Sequence, residues 1–173
     1  PAALEEALAY AEIIGADIVN ISAGTLFGDK QAKPSCTSFL SNYNGNNSSE
    51  AFSAALQSYD KFFRKEPWLV NGHIESRALY IFGAGNHGVN LDNTNLRLIP
   101  AQPMKTVMPG NVLLAGAFQT NRFISCQQSN FGTDVELFAP GGGYSFLIPP
   151  SGLIVAGDQD DCATSFAAPM IAG

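Results

Sequence analysis

Segments with a helical repeat alternate along this chain with short, nearly unbroken apolar runs that end in glycine or proline, and few folds accommodate that alternation. Leu4, Ala7, Leu8, Ala11 and Ile14 recur at the spacing of one helix face, and Gly15 is placed to end the helix. Directly behind it, Ala16-Asp17-Ile18-Val19-Asn20-Ile21-Ser22 has the form of a parallel strand covered on both faces. Ala78 to Phe82, Val112 to Ala117 and Val135 to Phe138 read as three further strands, and Leu153 to Ala156 as another. Strands separated by helices and by Gly/Pro loops predict an α/β fold with a mostly parallel sheet flanked by helices. Its ligand site is expected at the carboxyl ends of the strands.

One stretch departs from this rhythm. Residues 28 to 49, ending in Ser41-Asn42-Tyr43-Asn44-Gly45-Asn46-Asn47-Ser48-Ser49, are polar and rich in turn formers, so they read as an exposed loop. The part from about Pro34 to Ser49 is expected outside the main sheet, because it has little apolar surface to offset the entropy of ordering it. Phe52, Ala55, Leu56, Tyr59, Phe62 and Phe63 then mark a helix that must end before Pro67, its apolar face expected on the sheet.

Composition bounds the rest. At 173 residues, 46% apolar and 14% charged, the chain is expected to be one globular domain, residues 1–173. A net charge of -6 disfavours nucleic acid and anionic membrane as partners, and no run approaches the roughly 18 apolar residues of a membrane span, so a soluble chain is expected. Cys36, Cys126 and Cys162 are too few and too irregular for a disulfide framework or a zinc site, and read as structural or incidental.

The strongest chemical signal is Ala163-Thr164-Ser165-Phe166-Ala167-Ala168-Pro169-Met170-Ile171-Ala172-Gly173, where small residues flank one serine as a loop enters a helix. Unpaired N–H groups and the helix dipole at such a start favour negative charge, which suits a nucleophilic serine beside a developing oxyanion. The plainer alternative is that Thr164 or Ser165 caps the helix. Gly83-Ala84-Gly85-Asn86-His87-Gly88 follows a buried strand and reads either as an Asn/Gly turn or as an amide donor set among glycines that let a peptide backbone come close.

Together these segments resemble the subtilisin-like serine peptidases. The first is similar to the family's Gly-Thr-Ser-x-Ala-x-Pro nucleophile motif and the second to its Ala-Ala-Gly-Asn-x-Gly oxyanion loop. Asn20-Ile21-Ser22-Ala23-Gly24 is similar to its strand ending in Ser-x-Gly. Pro109-Gly110-Asn111-Val112, Ser129-Asn130-Phe131-Gly132 and Ala139-Pro140-Gly141 resemble the connection leading to the nucleophile. The resemblance implies a three-layer subtilisin-like fold, Ser165 as nucleophile and Asn86 as oxyanion donor. It also implies a substrate pocket walled by Ser22, Ala23, Gly24, Gly83, Ala84 and Gly85. Ala163 departs from the family's Gly, and a positive φ there would strain the turn.

In the subtilisin order Asp and His precede Ser. In the family both also lie ahead of the Ser-x-Gly strand, and only Pro1 to Ile21 stand there. The chain therefore reads as a catalytic domain incomplete at its N-terminal side, with an inserted region at about 28–75 and the missing N-terminal part of the same domain as a partner. His73 and His87 break the family's order and read as surface residues. Asp17, Asp134 and Asp158-Gln159-Asp160-Asp161 read first as solvated loop charges. No cofactor is expected; a structural calcium at 158–161 is the alternative, though the ligand spacing of a known loop is absent. The resemblance implies a serine endopeptidase acting on peptides or proteins in an extracellular or periplasmic compartment, with this chain inactive by itself. The alternative is a non-catalytic subtilisin-like module that binds extended peptides or protein partners.

Overall fold

The computed structural model describes residues 2–28, 43–44, 48–65, 68–119, 124–125, 128–142, 144–148, 152–156 and 163–173. In chain order the elements are α1 (Ala2–Ile13), β1 (Ile18–Ile21), β2 (Thr25–Gly28), β3 (Tyr43–Asn44), α2 (Ser48–Phe63), β4 (Leu69–Val70), β5 (His73–Ile74) and β6 (Leu79–Gly83). There follow β7 (Leu96–Ile99), α3 (Ala101–Val107), β8 (Val112–Gln119), β9 (Ile124–Ser125), β10 (Val135–Gly142), β11 (Tyr144–Ile148), β12 (Gly152–Ala156) and α4 (Thr164–Ala172).

The four strands read from unbroken apolar runs form one parallel sheet in the order β1-β6-β8-β10, with β9 added antiparallel at the end of β8. Val19 stands opposite Tyr80, and Phe82 opposite Leu114. In β6 and β8 the runs are unbroken because both faces are covered, whereas Ile18 of β1 and Leu137 and Phe138 of β10 are exposed. On one face Tyr80, Phe82, Val112 and Leu114 join Leu8 of α1, Tyr59 and Phe63 of α2 and Met104 of α3 in the main core. On the other, Ile81 and Ala115 meet Ala168 of α4, while Ala117 and Ala139 meet Ala167. The α/β, helix-flanked parallel sheet expected from the sequence is therefore present. Gly15, at φ 71°, ends α1 in the left-handed conformation that glycine adopts without steric cost. The Tyr80 hydroxyl donates to Glu12 Oε1 at 2.7 Å and ties α1 to β6.

Three expectations are corrected. First, α2 shares the main core with the central sheet through Tyr59 and Phe63, but that sheet is not its chief support. The helix packs on α3 and on a second, three-stranded sheet of order β3-β2-β7. Its exit is an aromatic cluster: the Phe62 and Trp68 ring centroids lie 4.5 Å apart, and those of Phe63 and Trp68 5.2 Å. Such pairs add about 0.5–1.5 kcal/mol each beyond area burial. Tyr59, Phe63 and Trp68 belong to the same core as Tyr80. Second, Leu153 to Ala156 is a strand but pairs antiparallel with β11 in a separate hairpin instead of joining the parallel sheet. Third, Asp134 is not simply a solvated charge: Gln102 Nε2 donates to its carboxylate at 2.8 Å and Lys105 Nζ to its carbonyl at 2.8 Å.

Of the segment from Pro34 to Ser49, the described Tyr43–Asn44 pairs with β2 in the second sheet, and Ser48 and Ser49 open α2. The rest of it, together with the three cysteines and residues 158–161, lies outside the described residues. Among the described residues no group of three or more His, Cys, Asp or Glu could hold a metal ion, and no helix is long and apolar enough to cross a membrane.

Candidate active site

The carboxyl ends of β1 and β6 and the start of α4 converge on a cleft of about 60 Å³. Ser22, Ala23 and Gly24 from the exit of β1 line it, with Gly83, Gly85, Asn86 and His87 from the exit of β6, Leu98 of β7, and Thr164 and Ser165 of α4. Seven of the eight site residues named from the sequence are among these. Ala84 is the exception and a correction: it is fully buried, its methyl group part of the main core, so only its neighbours form the wall.

The start of α4 is organised around Thr164. Ala163 is the N-cap, in extended backbone at φ -131° and ψ 142°, and no side chain caps the helix. An alanine occupies this position without strain, so the departure from glycine is tolerated locally. Thr164, not Ser165, is the first helical residue, and neither side chain serves as a cap. The Thr164 hydroxyl is engaged elsewhere. It accepts from the Gly85 N–H at 3.0 Å and donates to Asn86 Oδ1 at 3.1 Å.

That arrangement fixes the Asn86 amide. Its Oδ1 also accepts the Thr164 backbone N–H at 2.8 Å, and a backbone N–H must meet the oxygen end of an amide, never the NH₂ end. Oxygen is therefore committed to α4 and Nδ2 is the end left to donate; among the described residues it has no partner. Gly83 permits the approach, because a Cβ there would stand 3.0 Å from Thr164 Oγ1 and 3.2 Å from its carbonyl carbon.

Ser165 is held from the other side. Pro169 sits within α4 four residues beyond it, and a proline has no N–H to give the carbonyl of residue i−4. The Ser165 carbonyl accepts instead from the Ser22 hydroxyl at 3.2 Å, and Asn20 Nδ2 donates to Ser22 Oγ at 3.3 Å. Ser22, expected as a pocket wall, thus also ties the exit of β1 to the serine.

The histidines part company. His73 lies exposed in β5 and outside the cleft lining, as a surface role requires. His87 was expected at the surface but is 3% exposed, folded inward within the loop that follows β6. Thr164 as the partner of the Asn86 amide, Leu98 as a wall and Asn130 behind the loop were not legible in the sequence. The signal available for Asn130 was its place in Ser129-Asn130-Phe131-Gly132, read only as part of a connection.

An amide with its oxygen anchored to the start of a helix, the serine that follows, and the exits of β1 and β6 thus share one cleft. Residues 2–173 match the model of the Subtilase family, and the chain belongs to that family. No curated protein sequence matches it. Among solved structures it is similar to the epidermin leader-peptide-processing serine protease of Staphylococcus aureus, at a TM-score of 0.57 and 18% identity over 98% of this chain and 41% of that one. It is similar also to a lanthipeptide protease (0.53, 20%, 98% and 48%) and to the prenylagaramide maturation protease (0.51, 24%, 98% and 46%). At these identities the likeness is one of fold. The chain spans less than half the length of each of these three structures.

Proposed function

We propose that this chain supplies the nucleophile, oxyanion donors and substrate walls of a serine endopeptidase. The carrying observation is the commitment of Asn86 Oδ1 to Thr164, which turns Nδ2 into a pre-aimed donor in the cleft it lines with Ser165. In this reading Ser165 Oγ attacks a peptide carbonyl, a histidine takes its proton, and an aspartate orients that histidine. The carbonyl oxygen becomes an alkoxide held by Asn86 Nδ2 and the Ser165 N–H at the start of α4. Water then releases the acyl group. An extended substrate lies between Ser22-Ala23-Gly24 and the backbone at Gly83 and Gly85, paired as an added strand.

The base and its aspartate belong, in this reading, to the rest of the catalytic domain, which seats along the open edge of β1. That strand ends the sheet among the described strands, and near it Tyr10, Ile13, Ile14 and Ile18 are 64%, 76%, 59% and 47% exposed. Peptides or proteins are the substrates, no cofactor takes part in this chemistry, and the compartment proposed is extracellular or periplasmic.

The test compares three proteins: the intact enzyme, its Ser165→Ala variant, and residues 1–173 alone. Labelling by a fluorophosphonate probe and hydrolysis of fluorescein-labelled casein are measured for each. The intact enzyme is expected to do both and the other two neither. Loss of Ser or His from a subtilisin costs about 2 × 10⁶ in turnover, a value from that family and not from this geometry. The roughly 10³- to 10⁴-fold left to oxyanion and binding is too little for an ordinary assay. An intact protein inert in both assays would point to a peptide-binding module. Ser165-dependent turnover by residues 1–173 alone would make His73 or His87 the base.

A further inference from the structure

Asn130 lies behind the oxyanion loop, fully buried, in a segment that supplies no lining to the cleft. Its side chain uses both ends of the amide on that loop. Nδ2 donates to the Ala84 carbonyl at 2.8 Å, and Oδ1 accepts the N–H groups of His87 at 3.0 Å and Val89 at 3.2 Å. Its own backbone N–H donates to the Gly85 carbonyl at 2.9 Å. Three side-chain bonds and one backbone bond thus reach residues 84, 85, 87 and 89, on both sides of Asn86. The fit is close: a Cβ on Gly85, which has φ 91°, would stand 2.6 Å from Asn130 Nδ2.

The backing segment is itself fixed to the sheet. Ser129 Oγ accepts the Ala117 N–H of β8 at 3.0 Å and donates to the Asn130 carbonyl at 3.0 Å. Gly88 donates to the Gln128 carbonyl at 2.8 Å, Phe131 to the Val89 carbonyl at 3.0 Å, and Leu91 to the Phe131 carbonyl at 2.7 Å. Loop and backing therefore run side by side, with Asn130 as the side chain that spans them. Asparagine suits the place because it has a donor end and an acceptor end and no charge to bury. A carboxylate lacks the donor, and an apolar residue would leave three buried backbone groups unsatisfied.

We propose that Asn130 is the positioning residue of the oxyanion hole: it touches no substrate and acts on the reaction only through the backbone that aims Asn86. This rests on the assignment of Asn86 as oxyanion donor. Deleting an oxyanion donor lowers turnover about 10²- to 10³-fold, a magnitude from mutagenesis of a subtilisin, and a misplacement of about 1 Å can cost about as much.

The test uses the intact enzyme and a fluorophosphonate–rhodamine probe, whose phosphoryl oxygen occupies the oxyanion site as Ser165 Oγ bonds to phosphorus and fluoride leaves. Saturation kinetics give kinact and KI for wild type, Asn86→Ala, Asn130→Ala, Asn130→Asp and the Asn86→Ala/Asn130→Ala double variant. Asn130→Ala is expected to lower kinact at least about tenfold with KI within about threefold. The double variant should be no more than about threefold slower than Asn86→Ala, because a group that acts through Asn86 has nothing left to aim. Asn130→Asp keeps the two accepted bonds and should fall between wild type and Asn130→Ala. Wild-type kinact in Asn130→Ala, or a double variant slowed by the product of the single effects, would overturn the proposal while leaving Asn86 in its role. Wild-type kinact in Asn86→Ala, or an intact enzyme that does not label, would instead overturn the oxyanion assignment and this inference with it. If Asn130→Ala does not fold, Asn130→Asp decides: wild-type kinact there refutes the proposal, and a lowered kinact with unchanged KI supports it.

Discussion

Replacing Gly85 with alanine should damage this protein far more than one methyl group suggests, and the structure gives the amount. Gly85 has φ 91°, where side-chain-bearing residues are strained by about 1–3 kcal/mol. The new Cβ would lie 2.6 Å from Asn130 Nδ2, so the buried amide must shift away from the Ala84 carbonyl. Leaving such a group unsatisfied costs about 1–3 kcal/mol more. The sum is about 2–6 kcal/mol. A loss near the middle of that range, about 4 kcal/mol, is roughly a 10³-fold change in the unfolding equilibrium. Gly110→Ala is the control: nothing lies within 4 Å of its Cβ position, and its effect should stay within about 0.5 kcal/mol. The assay is thermal unfolding of the intact protein followed by far-UV circular dichroism. If Gly85→Ala lost less than about 1 kcal/mol, or no more than Gly110→Ala, both the backbone strain and the contact with Asn130 would be refuted.

Two further outcomes are expected. Tyr59 and Tyr80 are each pushed up to about 12, first by burial, then with Glu5 acting on Tyr59 and Glu12 on Tyr80. Folded values above the unfolded value of about 10 mean that their contribution is whole below about pH 10 and is lost as pH rises from there through about 12. Urea unfolding should therefore show stability falling across that window, and Tyr59→Phe and Tyr80→Phe should each flatten the fall; an unchanged slope in both would count against it. Ser22→Ala should cost about 0.5–1.5 kcal/mol, because Pro169 leaves the Ser165 carbonyl without a helix donor, and clearly less in a Pro169→Ala background where the N–H returns. Urea unfolding of the four proteins measures this, and additivity within about 0.3 kcal/mol would refute the shared acceptor.

The legible parts of this fold were those where one physical demand acts on consecutive residues. The strands β6 and β8 stand out as apolar runs because helices cover both faces, and α1 and α2 because one face repeats. The cleft residues were legible as three short segments, Ser22 to Gly24, Gly83 to Asn86 and Ala163 to Ser165, each contiguous in sequence. What was hidden depends on pairing across the chain. Thr25 pairs with Ile99 in strands of four residues, too short for a pattern of their own. The helix α3 was masked by prolines at 100, 103 and 109, yet Pro103 is its third residue, where an N–H would have no helical partner anyway. The amphipathic pattern of α2 gives the buried face but not its partner, which proved to be α3 and the second sheet. Asn130 carries no local sign of burial, because its four bonds all go to a loop more than forty residues earlier.

Small residues under α4 explain why these distant segments meet so closely. Ala115, Ala117 and Ala139 of the sheet face Ala167 and Ala168 of the helix, and each fully or nearly buried methyl group lets the backbones approach. Gly83 continues that contact to the end of β6, where a Cβ would crowd Thr164. Only with the helix seated this low can one threonine reach both the Gly85 N–H and the Asn86 oxygen, while the Ala163 N–H meets the Gly141 carbonyl of β10 at 2.9 Å. Raising α4 would lengthen these bonds together and release the Asn86 amide and Ser165 in one movement. Asn130 fixes the same loop from behind, and Ser22 fixes the serine from the side. The geometry of the cleft is thus set by core packing on rigid elements, as the roles proposed for Ser165 and Asn86 require, since a reacting serine and an oxyanion donor must be held to within about 0.5 Å.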